Sequence, residues 1–125
     1  MNIDIKYFND LMTKIEEGGN NWIDLRCSNT TKSRKDTYVS IPLGVAINIP
    51  EGYELHIILR DKAFKKYGIM QPGGVLVIED NSNWEQDKEI EVPVLFTKDS
   101  VVNFNDRFCK FRLVEKQPVL EFNIL

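Results

Sequence analysis

The chain has 125 residues, of which 42% are hydrophobic and 28% are charged, and this is the length and composition of one globular domain. The net charge of -3 argues against a protein dedicated to coating DNA or RNA, although a pocket for a phosphorylated ligand needs only a few local cations. No apolar run reaches the length of a membrane span, and residues 1–6 lack the pattern of a signal peptide. We therefore expect a cytoplasmic protein with no membrane partner.

The cysteine and histidine content limits the chemistry that the chain can perform. Cys27 and Cys109 lie far apart in the sequence, and free thiols are expected in a cytoplasmic protein. The single histidine, His56, has no CxxC motif or second histidine to accompany it, so a structural zinc site is not expected.

Residues 9–18 contain the one helical pattern in the chain. Leu11, Met12 and Ile15 share the apolar face of this predicted helix, and Gly18 is expected to end it.

The clearest strand pattern follows at residues 39–49, where apolar side chains alternate with small or polar ones. Pro42 and Gly44 within this run predict an edge position, a bend or a bulge. A turn at residues 50–52 leads to a second alternating run at residues 53–60, and we expect the two strands to pair as a hairpin.

The second half of the chain is a series of short strands separated by turns. One helical turn is expected within residues 61–67, ended by Gly68, and a polar loop is expected at residues 79–88. The predicted strands are residues 75–78, which we expect to be buried, and residues 89–96, 108–114 and 119–125. Many short strands with almost no helix indicate an all-β barrel or sandwich that occupies residues 1–125 as a single domain.

Four segments resemble, in order and spacing, the motifs of the trimeric dUTPases (dUTP pyrophosphatases), and most closely the branch found in Bacillus and its phages. They are the motif-one strand Trp22-Ile23-Asp24-Leu25-Arg26, the hairpin-like residues 42–54, the motif-two region at residues 59–69 and the motif-four region at residues 105–112. The resemblance implies a distorted β-barrel or jelly roll assembled as a homotrimer, with active sites between subunits. It also implies that motifs one, two and four hold Mg²⁺ and the triphosphate, and that a motif-three aspartate activates water.

The first two motifs carry residues suited to phosphate and metal. By resemblance, Asp24 would help to organise the metal through water. Arg60 keeps the motif-two arginine, whereas the serine beside it is replaced by Asp61, which repels phosphate unless a metal lies between them. Lys62 stands at the second serine position and could bind phosphate as a point charge.

Motif four keeps Asp106 and Arg107, which we expect to form a structural pair. It has Asn105 where the family has glycine, and Lys110 where the family has glutamine. Lys110 adds a cation at the position where phosphate oxygens lie in the family.

Motif three departs furthest from the family pattern. Glu79 or Asp80 falls at the position of the water-activating aspartate, because counts from the two flanking motifs differ by one residue. The family tyrosine under the deoxyribose is missing, and Trp84 is the nearest aromatic residue. The glycine-rich fifth motif is not present in the chain, so we expect a site without that arm.

These departures favour a non-catalytic member of the family that binds a nucleotide or another phosphorylated ligand in the clefts between subunits, such as a phage-encoded sponge. One alternative is a divergent, Mg²⁺-dependent dUTP or dNTP pyrophosphatase that uses Asp24, Arg60, Asp106 and either Glu79 or Asp80. A second alternative is a module that contacts a protein regulator through its acidic loop. In each case efficient dUTP hydrolysis is not expected, and Mg²⁺ is expected only for the active form.

Overall fold

The structure, a computed structural model, describes residues 1–16 and 21–125. Within these residues the chain forms eleven strands: β1 Ile5–Tyr7, β2 Ile23–Arg26, β3 Thr31–Ser33, β4 Thr37–Pro42, β5 Val45–Ile47, β6 Tyr53–Leu59, β7 Ile69–Met70, β8 Leu76–Ile78, β9 Glu91–Phe96, β10 Ser100–Val102 and β11 Arg107–Glu115. The two helices of this described part are α1 Ala63–Tyr67 and α2 Ser82–Glu85. The sequence predicted the first of these short helices and missed the second.

The strands form four small antiparallel sheets around one core. The largest has the strand order β2-β11-β6-β8, the next has the order β4-β9-β7, and the pairs β1-β5 and β10-β3 complete the set. Over the described residues the sheets do not close into a barrel, and their arrangement is that of a jelly roll. The prediction of an all-β, jelly-roll-like fold is confirmed.

The core is built from alternating strand positions of the two larger sheets. In β9, Val92, Val94 and Phe96 are fully buried while the residues between them face outward, as the period-two pattern predicted. Phe108 and Ile57 from the larger sheet are also fully buried. This shared core fixes the register of the strands, because a slip of one residue would turn each apolar set toward solvent.

The long strand predicted at residues 39–49 is interrupted, and the predicted hairpin is wrong. Gly44 has a φ of 66°, which ends β4 and starts β5 in a new direction. β5 pairs with β1, whereas β6 pairs with β11 and β8. A tight turn does form, since the amide of Tyr53 donates to the carbonyl of Pro50 at 3.1 Å. It connects strands of different sheets, so closeness in sequence did not decide the pairing.

The helix predicted at residues 9–18 is wrong for the residues that the structure describes. The amide of Thr13 donates to the Asn105 side chain at 3.0 Å, and the amide of Ile15 donates to the Tyr7 hydroxyl at 2.7 Å. Because these two amides donate to side chains, they do not form the bonds to backbone carbonyls that a helix requires. The last two positions of the predicted helix lie outside the described residues.

Two further strand predictions need correction. The strand predicted at residues 75–78 is β8, which spans Leu76–Ile78 at the edge of the largest sheet, and Val75 and Val77 are exposed rather than buried. Residues 116–125 form no strand, and their apolar side chains are exposed. In contrast, α1 and its end at Gly68, with a φ of 67°, confirm the predicted helical turn. Neither helix among the described residues has the length and apolar character needed to cross a membrane.

Candidate functional site

The residues of motifs one, two and four meet at one end of the largest sheet. Asp24 on β2 lies opposite Lys110 on β11, so both side chains leave the same face. Arg60 follows β6, and its amide donates to the carbonyl of Phe108 at 3.0 Å, which continues the ladder with β11. Three neighbouring strands therefore place these side chains together.

The carboxylate of Asp24 lies between two guanidinium groups. Its Oδ1 is 3.4 Å from Nε of Arg60, and its Oδ2 is 3.6 Å from Nη1 of Arg107. All three side chains are between about one third and one half exposed, so solvent can reach them. The carboxylate orients two cations at the surface, and both retain donors for an added anion.

A second ion pair borders the same surface. Nζ of Lys110 is 3.4 Å from Oδ1 of Asp61, whose side chain is 92% exposed. Asp61 and Lys110 line a cleft of about 410 Å³ together with Asp24, Arg60 and Lys62. We call this space, together with the adjoining Arg107, the phosphate cleft. Its cations outnumber its carboxylates, which suits an anionic ligand.

Sequence reasoning missed the contribution of Arg107. We expected Asp106 and Arg107 to act as one structural pair, but the structure separates their roles. The carboxylate of Asp106 accepts hydrogen bonds from the Tyr67 hydroxyl at 2.9 Å and from the amide of Asn103 at 3.1 Å. Burial, and then this bond to Asp106, raise the pKa of Tyr67. Arg107, the first residue of β11, instead reaches Asp24, whereas Asp106 lies in the turn before that strand.

Trp22, a residue of motif one, borders the phosphate cleft. The guanidinium of Arg112 lies 5.3 Å from the centre of its ring, and Nζ of Lys110 lies 6.0 Å away. These contacts between a cation and an aromatic ring hold Lys110 at the side of the cleft.

The carboxylates of motif three lie elsewhere. Ile78 is paired with Leu55 near the start of β6, whereas Arg60 follows the end of that strand. Ile78 therefore lies about 17 Å from Arg60 along the strand direction, at a rise of about 3.3 Å per residue, and Glu79 and Asp80 follow it on the side away from Arg60. Within one chain the structure does not bring them together with the phosphate cleft.

Asp80 is engaged in local hydrogen bonds. Its Oδ1 accepts from the amide of Ser82 at 3.0 Å and from the hydroxyl of Ser82 at 2.7 Å. The amide bond, and then the hydroxyl bond, lower the pKa of Asp80, so its carboxylate is ionised at neutral pH.

Trp84, the candidate replacement for the family tyrosine, lies on α2 and packs against the N-terminal strand. Nζ of Lys6 lies 4.1 Å from the centre of its ring and donates to its carbonyl at 2.8 Å. This contact anchors α2 to β1, and within one chain it leaves Trp84 away from the phosphate cleft.

The phosphate cleft can accept Mg²⁺ only together with a phosphorylated ligand. Among residues 1–16 and 21–125, no group of three or more His, Cys, Asp or Glu residues could hold a metal. Mg²⁺ commonly binds through one or two carboxylates together with substrate phosphates and water, and Asp24 and Asp61 line the cleft. The residues therefore fit a metal that arrives with a phosphorylated ligand.

The two cysteines do not contribute to this chemistry. Cys27 and Cys109 are free and buried, and burial raises the pKa of both thiols. Since the thiolate is the nucleophilic form, both groups are neutral and unreactive at physiological pH.

The structure defines a jelly-roll-like protein with a cationic cleft suited to an anionic ligand, and comparisons with known proteins identify the family. The chain is 35% identical over 124 residues to the SPβ prophage-derived deoxyuridine 5′-triphosphate nucleotidohydrolase of Bacillus subtilis strain 168, with 97% of this chain and 85% of the relative covered. It is 30% identical over 118 residues to the deoxyuridine 5′-triphosphate nucleotidohydrolase of Finegoldia magna, with 91% and 79% covered. No family model matches the chain.

Solved structures agree with this fold. The dUTPase of Streptococcus mutans superposes with a TM-score of 0.76 at 17% identity, covering 94% of this chain and 98% of that protein. A point mutant of the dUTPase from phage phi11 of Staphylococcus aureus, whose structure concerns a structural Mg(II) ion, superposes with a TM-score of 0.80 at 11% identity, covering 99% and 97%. The chain belongs to the deoxyuridine 5′-triphosphate nucleotidohydrolase, or dUTPase, family.

Proposed function

We propose that this protein hydrolyses dUTP or a related deoxynucleoside triphosphate to the monophosphate and pyrophosphate in a Mg²⁺-dependent reaction. The observation that carries this proposal is the phosphate cleft, where Asp24 orients Arg60 and Arg107 beside Lys110. The names of the curated relatives favour hydrolysis over the non-catalytic protein that the degenerate motifs suggested.

Each residue of the phosphate cleft has a distinct role in this proposal. Arg60 and Arg107 donate to phosphate oxygens in a fixed geometry, while Lys62 and Lys110 contribute point charges. Asp24 holds the two guanidinium groups in place and would hold the metal through water. Mg²⁺, when bound, would neutralise charge on the phosphates during the displacement. Asp61 would face the phosphates across this metal, which removes the repulsion expected between them.

The water-activating carboxylate is proposed to come from a second copy of the chain. Glu79 and Asp80 lie at the opposite end of β6 from Arg60, so one chain cannot place both groups on one substrate. We therefore infer a homotrimer with sites between subunits, in which Trp84 also approaches the ligand bound by a neighbour. The exposed apolar side chains of Leu120 and Phe122 are available for contacts between the copies.

Glu79 is the better candidate for the general base. Asp80 Oδ1 already accepts two hydrogen bonds from Ser82, and its lowered pKa makes it a weaker base. Glu79 is exposed and directly precedes this constrained residue.

The test is pyrophosphate release from dUTP, dCTP and dTTP by the purified protein with Mg²⁺, compared with a Glu79→Ala, Asp80→Ala double variant. Turnover of the natural chain that is lost in the double variant supports the proposal. Turnover that equals the background of the double variant would exclude hydrolysis by these carboxylates.

A second candidate is nucleotide binding without hydrolysis, as a ligand sponge would require. The observation that favours it is Asp61, a carboxylate that faces the cleft and neutralises Lys110 at 3.4 Å. Calorimetric titration with mono-, di- and cyclic nucleotides tests this candidate in the absence of Mg²⁺. Tight binding without Mg²⁺, together with no pyrophosphate release when Mg²⁺ is added, would establish a sponge, whereas binding that requires Mg²⁺ would support the enzyme.

A protein regulator also remains a proposal. A point mutant of the dUTPase from Staphylococcus bacteriophage 80α, one of the phage dUTPases that control transfer of virulence genes, superposes with a TM-score of 0.78 at 11% identity, covering 98% of this chain and 96% of that protein. In this chain, exposed acidic side chains at Glu79, Asp80, Glu85 and Asp87 form a surface that a basic partner could contact.

A further inference from the structure

Asn105 occupies a backbone position that usually favours glycine. Its φ is 69°, in the left-handed region that asparagine tolerates better than most residues. Its amide donates to the carbonyl of Cys27 at 2.7 Å, and its carbonyl accepts from Nη1 of Arg26 at 2.9 Å. These backbone groups attach the turn before β11 to the end of β2, and a glycine could make the same bonds.

The side chain of Asn105 adds a connection that glycine cannot make. Its Oδ1 accepts from the amide of Thr13 at 3.0 Å, and its Nδ2 donates to the hydroxyl of Thr13 at 2.9 Å. The two bonds join residues that are 92 positions apart in the chain. Both polar ends of the amide are thus used to hold one residue of the N-terminal segment.

The segment held in this way forms one wall of a cavity that adjoins the phosphate cleft. Met12 and Thr13 line this cavity of about 170 Å³, and so do Asp24 and Arg107. Met12 is buried and Ile15 is bound to Tyr7, so the segment has an anchor on each side of Thr13.

We propose that Asn105 is a positioning residue for the phosphate cleft, because it tethers Thr13 to the turn that carries Arg107. The proposal rests on nucleotide binding at the cleft. Arg107 lies two residues beyond Asn105 and is about half exposed, and its 3.6 Å contact with Asp24 directs it toward the cleft. When the turn and the wall are joined, Arg107 has fewer alternative positions, so less ordering is needed when the phosphate binds.

The test compares Asn105→Gly with the natural chain. Glycine keeps the left-handed backbone and removes only the tether. Titration with the dUTP analogue dUpNHpp and Mg²⁺ is expected to give a Kd about 3- to 10-fold higher, in line with the loss of one or two hydrogen bonds. The matched control is Asn2→Gly, at an exposed position outside the cleft, and its Kd is expected to be unchanged.

A conservative variant separates positioning from general stability. Asn105→Asp tolerates the same backbone, and its carboxylate can accept from both the amide and the hydroxyl of Thr13. We expect Asn105→Asp to bind dUpNHpp more tightly than Asn105→Gly. Thr13→Ala is expected to lower the affinity of the natural chain for dUpNHpp, and to lower it less when it is added to Asn105→Gly. Equal affinity of Asn105→Gly and the natural chain, or additive effects of the two substitutions, would overturn the proposal.

The side-chain NMR signal of Arg107 distinguishes this inference from the proposed function. Its Nε–H resonance, assigned with Arg107→Lys, is expected to shift or broaden in Asn105→Gly without nucleotide and to stay unchanged in Asn2→Gly. If the natural chain does not bind dUpNHpp, the proposed function fails, and a changed Arg107 signal still supports the tether. An unchanged Arg107 signal in Asn105→Gly overturns the positioning role whatever the binding result.

Discussion

The phosphate cleft and the motif-three loop differ in how they are assembled. The cleft takes Asp24, Arg60 and Lys110 from three neighbouring strands, so the register of one sheet places them. The loop places Glu79 and Asp80 at the other end of that sheet, on exposed backbone that leads into the single turn α2. One chain therefore folds the whole of the proposed phosphate site, while the proposed hydrolysis needs a second copy to supply the carboxylate.

Substitutions in the motif-three loop are expected to have the largest effect, and they should lower the rate of turnover without changing nucleotide binding. Glu79→Gln is expected to lower the rate of pyrophosphate release by about 10²- to 10⁴-fold, because it removes the proposed general base. Asp80→Asn should have a much smaller effect, since Asp80 is held by Ser82. Steady-state kinetics with dUTP measure both variants. A larger loss in Asp80→Asn would reassign the base.

The next effect is expected from the cleft, and it should fall on binding. Arg60→Gln removes a guanidinium that Asp24 orients, and the affinity for dUpNHpp is expected to fall about 10- to 100-fold, as for loss of a charge-assisted hydrogen bond. Calorimetry gives the Kd directly. Arg34→Gln, an exposed position away from the cleft, is the matched control. Equal effects of both substitutions would mean that the cleft does not bind the triphosphate.

Substitutions at two glycines compare how tightly the backbone is packed at two turns of the molecule. An alanine at Gly44, packed against Met12, would meet Met12 Sδ and would lie 2.8 Å from Ser28 Cβ, in addition to its strained φ of 66°. An alanine at Gly52, in the turn before β6, has a φ of 84° but no atom within 4 Å. We expect Gly44→Ala to lower the free energy of unfolding by about 2–4 kcal/mol, and Gly52→Ala by about 1 kcal/mol. Urea unfolding measures both, and equal losses would contradict tight packing around Gly44.

The smallest effect is expected at Tyr67, which supports motif four through Asp106. Tyr67→Phe removes a hydrogen bond of 2.9 Å and should cost about 1 kcal/mol at neutral pH. The pKa of Tyr67 is raised from 10.0 in the folded state, so an unfolded chain loses this proton first as the pH rises. The natural chain should therefore lose stability above pH 10, and Tyr67→Phe should lose less there. Urea unfolding at neutral and alkaline pH tests this, and parallel curves would contradict it.

Local signals in the sequence predicted many elements correctly. The alternation in residues 89–96 identified β9 and its buried face, and the charged segment before Gly68 identified α1. The motif order identified the family, which the curated relatives confirm. These features depend on a few adjacent residues, and their pattern is therefore readable along the chain.

Partner choice could not be predicted in the same way. The tight turn after Pro50 suggested a hairpin, but β5 pairs with β1 and β6 pairs with β11. The segment containing Thr13 had helical spacing, yet Asn105 and Tyr7 satisfy its backbone amides from distant parts of the chain. In both cases the competing partner is remote in sequence, so tertiary contacts override the local preference.

The sequence by itself determined the all-β class, the family and the residue types available for phosphate, because period-two alternation and motif spacing are local properties. Only the tertiary structure decided that Arg107 joins Asp24 while Asp106 turns to Tyr67, and that Glu79 lies far from Arg60 in the same chain. The physical reason is strand register. Pairing between distant strands sets which face each side chain occupies and which end of the sheet it reaches, and this pairing is selected by burial of the common core.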